Sequence, residues 1–193
     1  MQSKRQTTGI SIRWKILGLS LGLSLGFMAL LGIAMMALRS TNQGLNQMQA
    51  VYYPVLVTAQ ANREPIERMA ETFNTAVTIG ELDSLVATGQ FLQGMDKRFK
   101  EQMVLLPTQR SEITKLSEET KAYYQAASDL AKSLIEGKAD MAKVADIAAS
   151  NSQKLQALIV ALTQFQKARE KDFTSLVKNA DDRTSQTISL LWV

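Results

Sequence analysis

Residues 16–38 have the sequence ILGLSLGLSLGFMALLGIAMMAL and contain no charged side chain. As an α-helix, a run of this length would extend about 34 Å, enough to cross the roughly 30 Å hydrocarbon core of a bilayer. It exceeds the apolar region of a cleaved signal peptide, about 7–15 residues, and no clear small-residue cleavage site closes it. We therefore predict an uncleaved transmembrane helix over residues 16–38.

The basic residues around this run indicate its direction. Four precede it and one follows it closely: Lys4, Arg5, Arg13 and Lys15, then Arg39. The positive-inside rule therefore predicts that residues 1–15 form a basic cytoplasmic tail and that the domain after the helix lies outside the cytoplasm.

Charge and composition exclude several classes of function. Residues 1–15 hold four of the 22 basic residues and no acid, so the rest of the chain carries 18 basic and 18 acidic residues. Nucleic-acid binding needs a clustered positive surface, which this balance does not predict. The chain has no Cys and no His, which removes disulfides, most metal sites, thiol nucleophiles and the usual acid–base residue. We therefore predict no metal, no cofactor and no catalytic residue in this chain.

Three glycines share one face of the predicted membrane helix. Gly18, Gly22 and Gly26 recur every four residues. Small residues at this spacing let transmembrane helices approach closely, although glycine is also common in membrane helices in general. We interpret these glycines as a packing face, for a second membrane helix or a second subunit.

The remainder has helical periodicity and no sustained strand-type alternation. Breaks at Ile79-Gly80, Leu106-Pro107-Thr108 and Glu136-Gly137-Lys138 divide residues 39–186 into four helices. Each has an apolar stripe with steps of three and four residues. Leu56, Ala59, Ile66, Ala70, Phe73 and Val77 form the first such stripe, and Leu155, Leu158, Leu162 and Phe165 form the last.

Short connections between such helices predict an antiparallel up-down-up-down four-helix bundle in an all-α protein. The first and last helices are longer than the middle two, which predicts a two-helix stalk near the membrane, residues 39–53 with 166–186. Pro54 is expected to kink the first helix because it removes a backbone donor. Residues 187–193 (TISLLWV) are too short to cross a bilayer and are predicted to begin a truncated second membrane helix.

The arrangement resembles the N-terminal sensory half of bacterial transmembrane receptors, namely methyl-accepting chemotaxis receptors and sensor histidine kinases with helical-bundle input domains. The resemblance lies in SIRWKILGLSLGLSLGFMALLGI, YYPVL, NTAVTIGELDSL and a long last helix entering TISLLWV. It implies a periplasmic sensor domain over residues 39–186, an inner-membrane location, a homodimer, and a cytoplasmic output domain that the quoted sequence lacks. We therefore interpret the chain as a fragment.

The predicted function is the input half of a signal-transduction receptor. A chemotaxis receptor is the first choice, because a short basic tail leading into the membrane suits that group; a sensor kinase or diguanylate cyclase input domain is the alternative. Its partner would be a small molecule, an anion included, or a periplasmic binding protein. A membrane-anchored helical interaction protein is the alternative of another class.

Arg63 is the first candidate ligand residue. The stripe of the first helix places it at a core-facing position, where an unpaired guanidinium is very costly. It would therefore grip a small acidic ligand bidentately, at a helix interface or across a dimer. The alternatives are an intramolecular partner, with Glu67 one turn away, or a long side chain that carries its charge to the surface.

Two other groups of residues are candidates. The segment 62–69 resembles the anion-binding box of nitrate-sensing receptors at Asn62, Arg68 and Met69, and departs from it at Glu64 and Pro65. A solvated face is the alternative for Arg68. Tyr53 belongs to a set of four tyrosines whose hydroxyls could line a site or cap a core edge: Tyr52, Tyr53, Tyr123 and Tyr124.

Overall fold

The computed structural model describes residues 12–191, and within that range every regular element is helical. The α-helices are α1 (Ile12–Gln47), α2 (Tyr53–Gln60), α3 (Arg63–Ile79), α4 (Val86–Leu105), α5 (Arg110–Ile135) and α6 (Met141–Leu191). A π turn (Met48–Tyr52) and two 3₁₀ turns (Leu82–Leu85 and Pro107–Gln109) lie between them. The predicted all-α class is therefore confirmed. Parts of the predicted basic tail and of the predicted second membrane segment lie outside the described residues.

The chain divides into two compact units. One takes in Met1–Leu45 and Asn179–Val193, as far as they are described, and the other is Asn46–Lys178. Both boundaries fall inside the segments predicted to form the stalk.

The first unit contains the apolar helix. Leu17–Met36 is long and apolar enough to cross a membrane, with a mean hydropathy of 2.0, and none of it is buried in the protein. It is the one such segment among the described residues. Length and composition of this kind are shared by membrane spans and by signal sequences.

The second unit has one hydrophobic core to which α2 to α6 all contribute. α3, α4 and α5 contact one another, and α2 contacts α4. The core residues of α6 are Leu158, Leu162 and Phe165. The largest fully buried side chains of the other helices include Val55, Ile66, Met69, Met95, Phe99 and Ile113.

The helix ends at the predicted breaks follow local chemistry. α3 ends at Ile79, and Gly80 takes the left-handed conformation (φ 74°) in which a side chain is disfavoured. Pro107 follows the end of α4, and Gly137 (φ 68°) follows the end of α5. The three predicted breaks are therefore confirmed.

The first predicted helix is interrupted twice. Pro54 has no N–H, and the backbone widens just before it, so that the N–H of Tyr53 donates to the carbonyl of Met48 in a π turn. A second break at Ala61 and Asn62 was not predicted. Pro65 explains it, because its ring would clash with the carbonyl of Ala61 in a continuous helix, whereas the first turn of α3 tolerates it.

Candidate functional site

A cluster of polar side chains lies where the break between α2 and α3 faces α4. The Nε of Arg98 donates to the Oδ1 of Asn62 at 2.6 Å. One turn along α4, the Nε2 of Gln102 donates to the Oγ1 of Thr58 at 3.0 Å. Asn62 and Gln102 are almost completely buried, so these bonds tie α4 to the broken helix inside the protein.

Two buried atoms of this cluster, the Nδ2 of Asn62 and the Oε1 of Gln102, find no hydrogen-bond partner among the residues that the structure describes. One is a donor and the other an acceptor, and an unsatisfied buried polar atom costs about 1–3 kcal/mol. The cluster is therefore an energetically costly part of the core.

Arg98, on α4, is the partly buried cation of this cluster. Its hydrogen-bond partner is the neutral amide of Asn62. Burial lowers the pKa of Arg98, and the charge of Glu101 opposes that shift. The spacing of apolar residues did not single out Arg98, because it lies beside the buried stripe of α4 and not within it.

The two predicted ligand-binding arginines lie on the surface. The Nε of Arg63 is 2.9 Å from the Oε1 of Glu67, and 52% of the Arg63 side chain is exposed. The Nη2 of Arg68 is 2.7 Å from the Oε1 of Glu64. The predicted core-facing position of Arg63 is wrong, because Asn62 occupies it: positions 62 and 63 flank the same stripe, and spacing alone does not separate them.

Asn62 and Tyr53, the other two predicted ligand residues, lie in different surroundings. Asn62 is 1% exposed and belongs to the polar cluster. Tyr53 is 57% exposed, and its ring is 6.5 Å from that of Phe173 on α6, tilted by 52°. No side-chain hydrogen bond or ion pair joins any two of the four predicted residues.

The glycines of the membrane-length helix are open to their surroundings. A methyl group added at Gly18, Gly22 or Gly26 would meet no atom within 4 Å. Together with Leu19, Leu23, Phe27 and Leu30 these glycines line a shallow groove. The predicted packing role of the three glycines stays a prediction.

A cleft of about 490 Å³ lies between α3, α5 and α6 in the second unit. We call it the three-helix cleft. Its apolar lining is Ala70, Phe73, Val77, Ala127, Leu130, Ala131, Leu134, Val144, Ala148 and Leu155. Its polar lining is Asn74, Thr78, Tyr123, Asn151 and Ser152, and no charged residue lines it.

Asn151 positions α6 against α5 at this cleft. Its Nδ2 donates to the backbone carbonyl of Ala126 at 3.2 Å, and the residue is 8% exposed. A second cleft of about 530 Å³ between α5 and α6 also has Asn151 in its lining, and its wall carries Asp129, Lys138, Asp140, Asp146 and Lys154. The two clefts thus adjoin each other through Leu130, Val144 and Asn151, which line both, but they differ in charge.

Tyr123, one of the four tyrosines singled out from the sequence, lines the three-helix cleft. The residue is 4% exposed, and burial raises the pKa of Tyr123 to about 12. The phenol therefore stays protonated and can donate a hydrogen bond across the physiological pH range.

Arg169 on α6 is a buried cation that the sequence analysis missed. Its residue is 8% exposed, its guanidinium lies 5.1 Å from the centre of the Phe165 ring, and its Nη2 is 3.3 Å from the Oδ2 of Asp172. Within the described part of the chain, its Nε and Nη1 have no hydrogen-bond partner. It continues the apolar stripe of Leu158, Leu162 and Phe165 by four residues, so the pattern that drew attention to Arg63 could have found it.

Among residues 12–191, no three Asp, Glu, His or Cys side chains are grouped so as to hold a metal ion. No family model, no curated protein and no solved structure matches this chain.

Proposed function

We propose that this chain is the input half of a transmembrane signalling receptor, with a methyl-accepting chemotaxis receptor as the first choice. The observation that carries the proposal is the combination of an exposed apolar helix of membrane-spanning length with a helical unit that contains a cleft. In this proposal residues 39–186 are periplasmic and the N-terminus is cytoplasmic, as the basic residues before the span favour.

The helical unit would be an antiparallel four-helix bundle, with α2 and α3 as its first helix and α4, α5 and α6 as the others. Three features support this: the contacts among α3, α4 and α5, the α6 residues in the shared core, and the short connections. The contact between the rings of Tyr53 and Phe173 supports the stalk. Tyr53 belongs to the first of its two predicted segments, 39–53, and Phe173 belongs to the second, 166–186.

The signal would pass through the first and last helices of the bundle. A ligand can shift a receptor between two packings only by its different affinity for them, and small helix shifts are a known form of such a change. A homodimer in the inner membrane and a small molecule or a periplasmic binding protein are the partners of this proposal.

The experiment that tests the proposal is topology mapping in intact cells. The chain has no Cys, so a single Lys100→Cys or Ser3→Cys substitution gives a unique site for a membrane-impermeant maleimide. We expect the reagent to label position 100 in intact cells, and to label position 3 only after the cells are lysed. Labelling of position 3 in intact cells, or recovery of a chain lacking its first forty residues, would refute the proposal.

The output is tested separately by the reading frame that follows Val193. A long glutamate-rich coiled coil would support the chemotaxis receptor, and a kinase or cyclase domain would replace it with the corresponding receptor class. A stop codon directly after Val193 would favour a membrane-anchored interaction protein instead.

A further inference from the structure

We propose that the three-helix cleft binds a neutral, mostly apolar small molecule that carries a hydrogen-bonding group. This deepens the proposed receptor function by naming the class of ligand and the residues that hold it. Binding at the cleft and signalling across a membrane are separate properties, so each can be tested without the other.

The size of the cleft suits a small molecule. Its volume of about 490 Å³ lies within the range of roughly 300–1,000 Å³ that is typical of ligand pockets. Small residues contribute to its lining from all three helices: Ala70 on α3, Ala127 and Ala131 on α5, and Ala148 on α6. Larger side chains at these positions would fill it.

The absence of charge from the lining selects the class of ligand. None of the lining residues is Lys, Arg, Asp or Glu, so an ion inside the cleft would lose water without gaining a counter-charge, which is strongly unfavourable. The raised pKa of Tyr123 has the same origin, since burial there disfavours a negative oxygen. The cleft is therefore unsuited to the small anions that Arg63 and Arg68 suggested.

Two polar groups can orient such a ligand. The Nδ2 of Asn151 is held by the carbonyl of Ala126, which leaves the Oδ1 of Asn151 as an acceptor. The hydroxyl of Tyr123 makes no hydrogen bond with a described residue and is a donor. An alcohol or phenol group, which donates and accepts at once, matches this pair.

The start of α6 is the part of the protein whose packing a ligand in the three-helix cleft would change. All residues of Met141–Ser150 except Val144 are exposed, so this part of α6 has few contacts with the core. A ligand in the cleft would touch Val144 and Ala148 as well as α3 and α5. It would thus favour the packing in which the start of α6 lies against the other two helices.

The experiment uses benzyl alcohol as the neutral probe and benzoate as its anionic counterpart. The full chain is placed in lipid nanodiscs, with one trifluoromethyl label on Ser152→Cys at the cleft or on Ser175→Cys, which does not line the cleft. We expect fluorine NMR to show a saturable shift of the label at position 152 with benzyl alcohol, and none with benzoate. The label at position 175 should show only the linear drift caused by partition into lipid.

A pair of neighbouring alanines gives the matched control. Ala148 and Ala149 are both exposed on α6, but only Ala148 lines the cleft. Leucine is well tolerated in helices, so both variants should fold. Ala148→Leu should weaken binding of benzyl alcohol at least tenfold, whereas Ala149→Leu should leave it unchanged.

Equal binding of benzoate, or equal binding by the Ala148→Leu variant, would overturn the inference. If topology mapping places the unit in the cytoplasm while the saturable shift persists, the cleft assignment stands and the receptor proposal fails. If the shift is missing in a unit that lies outside, the cleft assignment fails and the receptor proposal stands.

Discussion

An added methyl group should change the free energy of unfolding in opposite directions at Gly80 and at Gly94. Gly80 has φ 74° at the end of α3, where the space around it is open, whereas Gly94 has ordinary helical geometry with its nearest neighbour, the Nη1 of Arg98, at 3.6 Å from an added Cβ. Gly80→Ala should lower the free energy of unfolding by about 1 kcal/mol through backbone strain. Gly94→Ala should raise it by about 0.5–1 kcal/mol, since alanine favours helices.

Denaturant unfolding of the full chain in detergent measures both changes. The two variants serve as controls for each other, because each adds one methyl group to the same unit. Stabilisation by Gly80→Ala would show that the left-handed turn after α3 is not retained.

The buried Tyr123 predicts a loss of stability at high pH. Its pKa is raised to about 12 in the folded protein, above the value of about 10 in an unfolded chain. The stabilisation is therefore complete below pH 10 and is lost as the pH rises through 12, by about 2–3 kcal/mol in total. Tyrosinate absorbance should show a late titration step that disappears in Tyr123→Phe, and a late step that survives this substitution would contradict the assignment.

Two arginines also show what the spacing of apolar residues could not predict. A charge on an apolar stripe was the right signal to look for, but it applies to Arg169, which is 8% exposed, and not to Arg63. The difference is that the stripe of α6 is unbroken before Arg169, whereas Arg63 follows the turn at Ala61 and Asn62. After a break in a helix, the periodic spacing of buried positions starts anew, so the spacing before the break does not predict which residues are buried after it.

At the scale of elements, Asp96 joins α4 to α5. Its Oδ1 is 2.6 Å from the Nζ of Lys121, and its Oδ2 is 2.7 Å from the Nζ of Lys100. Hydrogen bonds from Lys100 and then Lys121 lower the pKa of Asp96, while desolvation opposes them. Because the folded pKa is lowered, the stabilisation is present above the unfolded pKa of about 4 and is lost as the pH falls through the folded value.

Asp96→Asn should therefore reduce the free energy of unfolding at neutral pH by about 0.5–1 kcal/mol, as expected for a surface ion pair whose lysine partners are exposed. The difference from the parent should shrink below pH of about 4. Glu64→Gln is the control, since Glu64 pairs with Arg68 within one exposed helix and should change stability by less than about 0.5 kcal/mol. A deficit of Asp96→Asn that stays constant down to low pH would rule out its ionic origin.

The helices themselves were largely predictable, and one boundary was not. Gly80, Pro107 and Gly137 end helices for reasons that are local, so the sequence alone located those ends. The break before α3 depends on Pro65 acting on the carbonyl of Ala61, which lies four residues back. Proline is accepted in the first turn of a helix and rejected further in, so its effect depends on where the helix begins.

At the scale of the whole molecule, the apolar helix α1 offers a test of self-association. If Gly22 belongs to a packing face, Gly22→Leu should weaken dimerisation about tenfold, because the added side chain separates the backbones. Ser24 lies about 200° round the helix axis from Gly22, so Ser24→Leu should not weaken dimerisation. Energy transfer between labelled chains in liposomes measures both, and equal behaviour of the two variants would assign the glycines to composition alone.

The three-helix cleft is the part that the sequence could not predict. Its residues come from α3, α5 and α6, and whether facing alanines leave space or allow the helices to close depends on the packing of the whole unit. The sequence named Tyr123 among four tyrosines, but it could not separate that residue from Tyr53, which is 57% exposed.

The alanine lining of that cleft has a consequence for how such a protein could change over generations. A single base change converts an alanine codon to one for valine, and each such step at Ala127, Ala131 or Ala148 would trim the cavity by the volume of two methyl groups. Few of the contacts that hold the core would be lost. Natural selection could therefore change the size of ligand that the cleft accepts in small steps, while the helical fold stays the same.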